Sequence, residues 1–352
     1  MVGGGPAGCA AAIVLAGGGA EVVVVERSAP DGIRIGETLP PEVRFPLERI
    51  DMWDRFQVDG HIPSPGILAA WGGPEPYAND FLLNPYGCGW RVDRNRFDSM
   101  LAAGARDAGA AVLTGSKVER CTHAPNGVWE LAATCGDGPS TISADLVVDA
   151  TGRTSTFGRA LGARRVAHDR MVALVRVMTP APSGTAFDRR ALIEATPEGW
   201  WYSARLPGGE LVLTFQTDAG PGLRARWSEW LAGAPETAAL AQGATGGKVH
   251  VVSANSQRSE PAAGEGWLAV GDAAAAHDPL CGLGIHWALE SGVAGAAAVG
   301  SPSAIAAYAL DMEQRFDRYL ATRILYYRAE NRWPDAPFWR RRHEAAVAAS
   351  GL

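Results

Sequence analysis

The 352-residue chain holds 32 lysines and arginines together, yet only Lys117 and Lys248 are lysine. Any chemistry that needs a lysine amine must use one of these two positions. Cysteine is scarce as well: Cys9, Cys88, Cys121, Cys135 and Cys281 form an odd set with no CxxC spacing, which argues against a disulfide framework and a zinc site. Unpaired thiols of this kind fit a reducing, cytoplasmic setting. No apolar run approaches the roughly 18 residues of a spanning helix, and no charged, apolar and cleavable leader pattern opens the sequence. Excess positive charge is also missing. A net charge of −6 and a pI of about 5.7 leave no footprint for nucleic acid or an anionic membrane surface.

What is present is concentrated at the start. Gly3-Gly4-Gly5-Pro6-Ala7-Gly8 precedes a small-residue stretch and then a valine-rich run that closes on Glu26. This is the spacing of a dinucleotide fingerprint. Gly3 permits the tight turn, Gly5 lets backbone N–H groups approach a pyrophosphate, and Gly8 lets a helix pack closely on its sheet. Glu26, roughly 20 residues on, is placed to meet an adenosine ribose hydroxyl. The fingerprint normally follows a central parallel strand, but only Met1 and Val2 precede Gly3. A missing central strand would leave ladder partners unpaired on both sides, so a natural start upstream of Met1 is expected.

The length predicts two intimately joined domains. A polar loop is expected at 27–35 and a helix at 36–56, opened by Pro40 and Pro41. Residues 59–89 are rich in glycine, proline and aromatics, with strand-like pieces at 67–71 and 80–83. They read as an excursion into the second domain. A helix at 97–109 precedes strands at 111–113, 117–122, 127–134 and 141–150. The last delivers Asp149-Ala150-Thr151-Gly152-Arg153 to the carboxyl edge of a parallel sheet, where doubly wound folds bind ligands. Long strands follow at 172–178, 200–206 and 211–217, with a helix at 223–231. Residues 266–272 form another buried strand ending in an acid, and helices are expected at 282–299 and 302–331. The predicted organisation is an α/β, Rossmann-type domain from 1–58, 90–165 and 255–300. It is interleaved with a β-sheet substrate domain from 59–89 and 166–254, and followed by a C-terminal helical segment, 301–352.

The run from Gly271-Asp272 to Pro279-Leu280-Cys281-Gly282-Leu283-Gly284-Ile285 has the chemistry of the far end of a flavin site. Asp272 can accept hydrogen bonds from ribityl hydroxyls. Gly282 and Gly284 let N–H groups at a helix start face the pyrimidine edge, where the positive helix terminus stabilises negative charge on a reduced flavin. With these motifs the sequence resembles the FAD-dependent aromatic hydroxylase and halogenase superfamily, whose fold is that of p-hydroxybenzoate hydroxylase. The resemblance implies an FAD cofactor. Gly3, Gly5, Gly8 and Glu26 would hold its adenosine diphosphate, Arg94 would lie along it, Asp272 would hold the ribityl chain and Pro279–Gly284 the isoalloxazine. Pro6, Ala7, Arg27, Val118, Asp149, Gly152 and Ile285 complete the expected contacts. Nicotinamide-using hydroxylases usually carry Asp-Gly where this chain has Asp149-Ala150, so the electron donor is left open between NAD(P)H directly and a separate flavin reductase.

A narrower resemblance rests on Ile35–Pro41, Gly199-Trp200-Trp201-Tyr202, Asp278-Pro279 and Tyr326–Trp339. These look like the halogenase-like branch, and within it the flavoproteins that hydroxylate a protein tryptophan to make a tryptophylquinone cofactor. Flavin halogenases also carry a Gly-Trp-x-Trp-x-Ile-Pro element and a lysine near the substrate. Here Tyr202, Ala204 and Arg205 stand at the later motif places, and Lys117 and Lys248 fall on predicted strands away from the expected substrate side. The expected activity is a monooxygenase acting through a flavin C4a-hydroperoxide on an aromatic or indole group. Its substrate would be an aromatic small molecule or a tryptophan-containing partner protein. A flavin halogenase, a flavin-dependent reductase and a non-catalytic FAD-binding assembly factor are the alternatives. The expected catalytic-side residues are Glu37, Trp200, Tyr202, His277 and Pro279. Residues 200–202 read equally well as core strand and as a pocket wall, and His277 beside Asp278 reads as an acid/base pair or as a local hydrogen-bonder.

Overall fold

A computed structural model of the chain describes residues 1–28, 34–136, 138–181 and 188–350, so the loop expected at 27–35 lies partly outside the described residues. The first sheet is parallel at its centre. Ala111–Thr114 pairs with Val23–Glu26, and Val147–Asp149 pairs with Trp267–Ala269, which turns back antiparallel onto Ala263–Gly264. Val2 joins the two halves by bridging in parallel to both Val25 and Asp149. The ladder is satisfied on both sides. Val2 N–H donates to the Val148 carbonyl, Gly3 N–H to Val25, Val25 N–H to Met1 and Ala150 N–H to Val2, all at 2.8–3.0 Å. The unpaired ladder expected from so short a first strand is therefore not seen.

Helix Pro6–Gly17 follows, with proline in the first turn, where its missing N–H leaves no helical bond unmade. Ala10, Ala11 and Ala12 are fully buried. Small residues are needed because helix Gly284–Ala298 packs hard against this one: a Cβ at Gly292 would lie 2.4 Å from the Ala7 carbonyl oxygen.

The second sheet has seven strands in the order His250–Ser253, Met171–Met178, Leu211–Asp218, Gly199–Arg205, Ala191–Thr196, Gly66–Ala70, Tyr77–Asp80. The segment between residues 59 and 89 thus supplies two of its strands, one of them parallel to its neighbour. Because side chains alternate along a strand, Gly199–Arg205 feeds two cores. Trp200 and Tyr202 join Trp71, Tyr327 and Trp339, whereas Trp201 joins Phe215, Trp227 and Trp230.

Several expected elements differ in detail. The helix expected at 36–56 is broken up: Thr38–Leu39 pairs with Trp90 and Arg91, Pro41–Val43 is a single 3-10 turn, and helices Arg44–Arg49 and Trp53–Val58 are separated at Asp51, whose φ is +55°. Proline at the first turn was read correctly, but the preceding segment takes up sheet pairing instead of helix. The strand expected at 141–150 is two: Gly138–Ala144 closes an antiparallel three-stranded meander, and Val147–Asp149 enters the parallel sheet. The piece at 80–83 ends its strand at Asp80 and continues as a 3-10 turn. At the C-terminus, within the helical segment expected at 301–352, helix Pro302–Ala329 is followed by a second helix, Pro337–Ser350, which brings Phe338 and Trp339 onto the aromatic face of the second sheet. Among the described residues, no helix is long and apolar enough to cross a membrane.

Candidate functional site

The carboxyl edge of the first sheet opens into a cavity of about 450 Å³. Gly3, Gly5, Glu26, Arg27, Val118 and Gly152 all line it, so six of the expected cofactor residues converge on one space. The three fingerprint glycines have separate causes. Gly3 has φ +108°, and a Cβ there would sit 2.2 Å from the Ala150 carbonyl oxygen. A Cβ at Gly8 would come within 2.0 Å of the Gly3 carbonyl oxygen, so glycine is demanded by the helix-to-turn approach. At Gly5 a Cβ would meet nothing within 4 Å. Gly5 is open toward the cavity instead, as N-cap of a helix with no side-chain cap and no acid in its first turn. Uncapped N–H groups and the helix dipole make such a terminus receptive to anions.

Glu26 is oriented by the backbone. Its carboxylate accepts from Gly4 N–H at 2.6 Å and from Ser28 N–H at 2.8 Å while still facing the cavity. Pro6 and Ala7 shape the helix start, Ala7 being buried beneath Gly271 and Gly292. Asp149 departs from expectation. It is fully buried, and its carboxylate is taken up by Thr151 N–H and hydroxyl, Ser155 hydroxyl and Gly158 N–H, so it fixes the turn that presents Gly152 and does not line the cavity. Sequence reasoning missed Ser116, Thr156 and Phe157, which line the same space. For Ser116 the available signal was its position just past a strand end at the sheet's carboxyl edge, whereas Thr156 and Phe157 open the short helix Thr156–Ala160 that follows the Asp149 turn.

The second half of the site is built around helix Gly284–Ala298. Its N-cap is Leu283, again without a side-chain cap or first-turn acid. Pro279, Gly282 and Gly284 are exposed beside it, and a Cβ at Gly282 or Gly284 would meet nothing within 4 Å. Asp272 is half-buried, 3.5 Å from Arg153, and its carbonyl accepts from Arg165. Ile285 is buried against Gly36, whose Cβ would lie 2.9 Å from the Arg94 guanidinium. Arg94 donates to the Ile35 carbonyl and pairs with Asp98 at 3.3 Å. Burial pushes the Cys281 thiol up to about 12, which keeps it protonated and unreactive.

On the side of the second sheet, Glu37 is buried, and desolvation raises its carboxyl pKa against the opposing pull of Arg94 and Arg91. Tyr202 shares a 2.6 Å hydrogen bond with the Thr38 hydroxyl, so the middle of strand Gly199–Arg205 and the Glu37 segment meet. Burial raises the Tyr202 phenol, and the Glu37 charge adds to it. Trp200 is packed into the aromatic core with its indole N–H donated to the Tyr327 hydroxyl at 3.1 Å. The pocket wall expected of 200–202 is thus not one surface: Trp201 points to the other core and Trp200 is covered. His277 and Asp278 do not form a pair either. His277 stacks on Trp287 with Tyr319 at its edge, and burial lowers its pKa to about 4, so it is neutral at ordinary pH. Asp278 turns away to Arg323 and Tyr327, each at 2.8 Å.

A family model described as FAD binding domain matches residues 1–296. The chain is an FAD-dependent enzyme of the aromatic monooxygenase and halogenase superfamily. It is similar to the FAD-dependent oxidoreductase LodB of Marinomonas mediterranea, with 30% identity over 97% of this chain and 96% of that one. Among solved structures it resembles the flavin-dependent halogenase CmlS, with a TM-score of 0.85, 24% identity, and coverage of 99% of this chain and 69% of that one. It also resembles QhpG, a peptidyl tryptophan dihydroxylase essential for tryptophylquinone cofactor biogenesis. There the TM-score is 0.78 at 25% identity, over 97% of this chain and 77% of that one.

The residues of this flavoprotein fit FAD. An open cradle at Gly5, a carboxylate at Glu26 facing the same cavity and two uncapped helix N-termini supply the donor and acceptor set that a dinucleotide with a flavin head requires. Neither lysine lies near Glu37 and Tyr202 in the hydrogen-bond and charge network described above. Lys117 is paired with Glu119 at 2.7 Å and lines the cavity at Gly5, and Lys248 is exposed beside edge strand His250–Ser253.

Proposed function

We propose that this flavoprotein is a monooxygenase that hydroxylates an aromatic or indole group, with a tryptophan of a partner protein as the favoured substrate. The carrying observation is the place of its two lysines: Lys117 lines the cavity at Gly5, Lys248 is exposed beside an edge strand, and neither is among the groups that act on Glu37 or Tyr202, which leaves that side without the amine that halogenation uses. The likeness to the peptidyl tryptophan dihydroxylase supports the same reading. Bound FAD, when reduced, supplies activated oxygen. The chain's own part is to bind and shield. Gly3, Gly5, Gly8, Glu26, Arg27, Val118 and Gly152 hold the adenosine diphosphate. Asp272 holds the ribityl chain, and Pro279, Gly282, Gly284 and Ile285 seat the flavin ring. Arg94 steadies the Ile35–Gly36 turn beside that ring, and Glu37, buried and raised in pKa, is suited to hold a proton near the reacting centre.

Tyr202 orients Thr38 and with it the Glu37 segment. Electrons arrive from NAD(P)H or from a separate flavin reductase, and five free cysteines fit a cytoplasmic setting. Halogenation is the second reading, favoured by the likeness to CmlS. Dithionite-reduced holoenzyme mixed with oxygen, bromide and indole or tryptophan peptides separates them. An added oxygen supports hydroxylation, a bromine isotope pattern overturns it in favour of halogenation, and no product at all removes both.

A further inference from the structure

The side chains that hold Asp278 come from beyond the segment matched as the FAD domain. Asp278 is 1% exposed and immediately precedes the Pro279–Cys281 turn, of which Pro279 is exposed, as is Gly282 after it. One carboxylate oxygen accepts from Leu280 N–H at 2.9 Å, which closes the turn locally. The other accepts from Arg323 Nε and from the Tyr327 hydroxyl, each at 2.8 Å, and both donors lie on helix Pro302–Ala329. The same helix reaches the loop a third time, since Asp278 N–H donates to the Tyr319 hydroxyl at 2.7 Å. Four hydrogen bonds thus define one side chain and its backbone, in a setting where an unpaired carboxylate would be expensive.

Tyr327 also reaches the second sheet. Its hydroxyl, fully buried, donates to Asp278 and accepts from the indole N–H of Trp200 at 3.1 Å. Trp200 sits on strand Gly199–Arg205, two residues from Tyr202 on the same face. A single phenol therefore stands between the second sheet and the loop beside the uncapped start of helix Gly284–Ala298.

We infer that Arg323 and Tyr327 are positioning residues for the flavin-facing loop, and that the Trp200–Tyr327–Asp278 relay ties the place of that loop to the second sheet. The inference rests on the loop seating the flavin ring, and it assigns to the C-terminal helix a part in tuning that ring. Its chemistry follows from charge. Arg323 also pairs with Asp169 at 2.9 Å, so one guanidinium is shared by two carboxylates; without it both lose their counter-charge, and the added negative potential at the loop disfavours the anionic reduced form.

The test uses purified holoenzyme carrying Tyr327→Phe, Arg323→Gln, Arg323→Lys and, as a control on the exposed side of the same helix, Leu325→Ala. The readouts are bound FAD per chain, the visible flavin spectrum and the flavin midpoint potential. The expected result is full FAD occupancy with an altered spectrum and a more negative potential in Tyr327→Phe. Arg323→Gln gives a larger negative shift, which Arg323→Lys substantially restores, and Leu325→Ala changes nothing. Trp200→Phe combined with Tyr327→Phe should be non-additive, as two members of one relay are. Wild-type spectrum and potential in Tyr327→Phe overturn the inference, as does an equal shift in Leu325→Ala. If Arg323→Gln fails to fold, Tyr327→Phe and Arg323→Lys decide alone. Failure of FAD to bind the wild-type chain would instead defeat the cofactor reading itself.

Discussion

The fingerprint glycines can be separated by substituting each with alanine, because the structure gives each a different reason to be glycine. At Gly5 the added methyl meets nothing in the protein, and the backbone φ of −76° suits any residue. The loss to the fold is that of a weaker helix N-cap, about 0.5 kcal/mol, or a shift of about 1–2 °C in a chain of this size. The methyl would, however, project where a pyrophosphate must approach. Losing one charge-assisted hydrogen bond there costs about 1.5–3 kcal/mol, which is roughly a tenfold to hundredfold loss of FAD affinity. Gly8→Ala is the opposite case. Its Cβ would overlap the Gly3 carbonyl oxygen at 2.0 Å and press on Ala150 at 3.1 Å, so helix and turn must separate. Overpacking against backbone costs about 1–3 kcal/mol or more even without cofactor. Thermal unfolding of the apoprotein and titration with FAD, followed by quenching of flavin fluorescence, distinguish the two. Wild-type FAD affinity in Gly5→Ala would refute the placement of the pyrophosphate, and an unperturbed apoprotein in Gly8→Ala would refute the packing argument.

Other outcomes follow from the same geometry. Lys248→Ala should leave turnover within about twofold of wild type, because the residue is exposed at an edge strand; a loss of product would point to lysine-dependent halogenation. His277 has an ordinary pKa of 6.5 that burial lowers to about 4 in the fold. The unfolded chain therefore binds the extra proton between those values. The stability this neutral histidine contributes is complete above pH 6.5 and falls as the pH drops toward 4, by about 3 kcal/mol in all. His277→Phe should flatten that part of the curve of unfolding free energy against pH, and an unchanged slope would contradict it. Trp201→Ala should lose about 3–5 kcal/mol in urea unfolding, since the ring is fully buried against Phe215 and Trp227. Tyr202→Phe, which removes the hydroxyl that bonds Thr38 and Arg91, should lose about 1–3 kcal/mol.

The parts of the site that local sequence could specify were legible. Gly3, Gly5 and Gly8 at their spacing, with Glu26 ending the next strand, could be read because the motif lies within one β–α–β unit, although the contact that excludes a side chain at Gly3 comes from Ala150, on a distant strand end. The cavity assembled at Gly3, Gly5, Glu26, Arg27, Val118 and Gly152 follows from that unit and the strands beside it. Asp149 was misread because its type and position suit a ligand contact equally well as a turn clamp, and only the four donors around it decide. The helix expected at 36–56 failed for a tertiary reason: Thr38 and Leu39 pair with residues some fifty positions away. Trp200 to Tyr202 could be placed on a strand but not assigned to faces, since alternation gives two faces without saying which is covered. What covers Trp200 is Tyr327, from a helix whose register against the sheet no local pattern encodes.

The central claim is that oxygen from dioxygen is placed on an aromatic ring. Reduced holoenzyme is mixed with isotopically heavy oxygen gas and a tryptophan-containing peptide in the presence of bromide, and the peptide is analysed by mass spectrometry. Heavy oxygen on the indole, with no brominated peptide, is the predicted result. A bromine doublet without heavy oxygen would contradict the account.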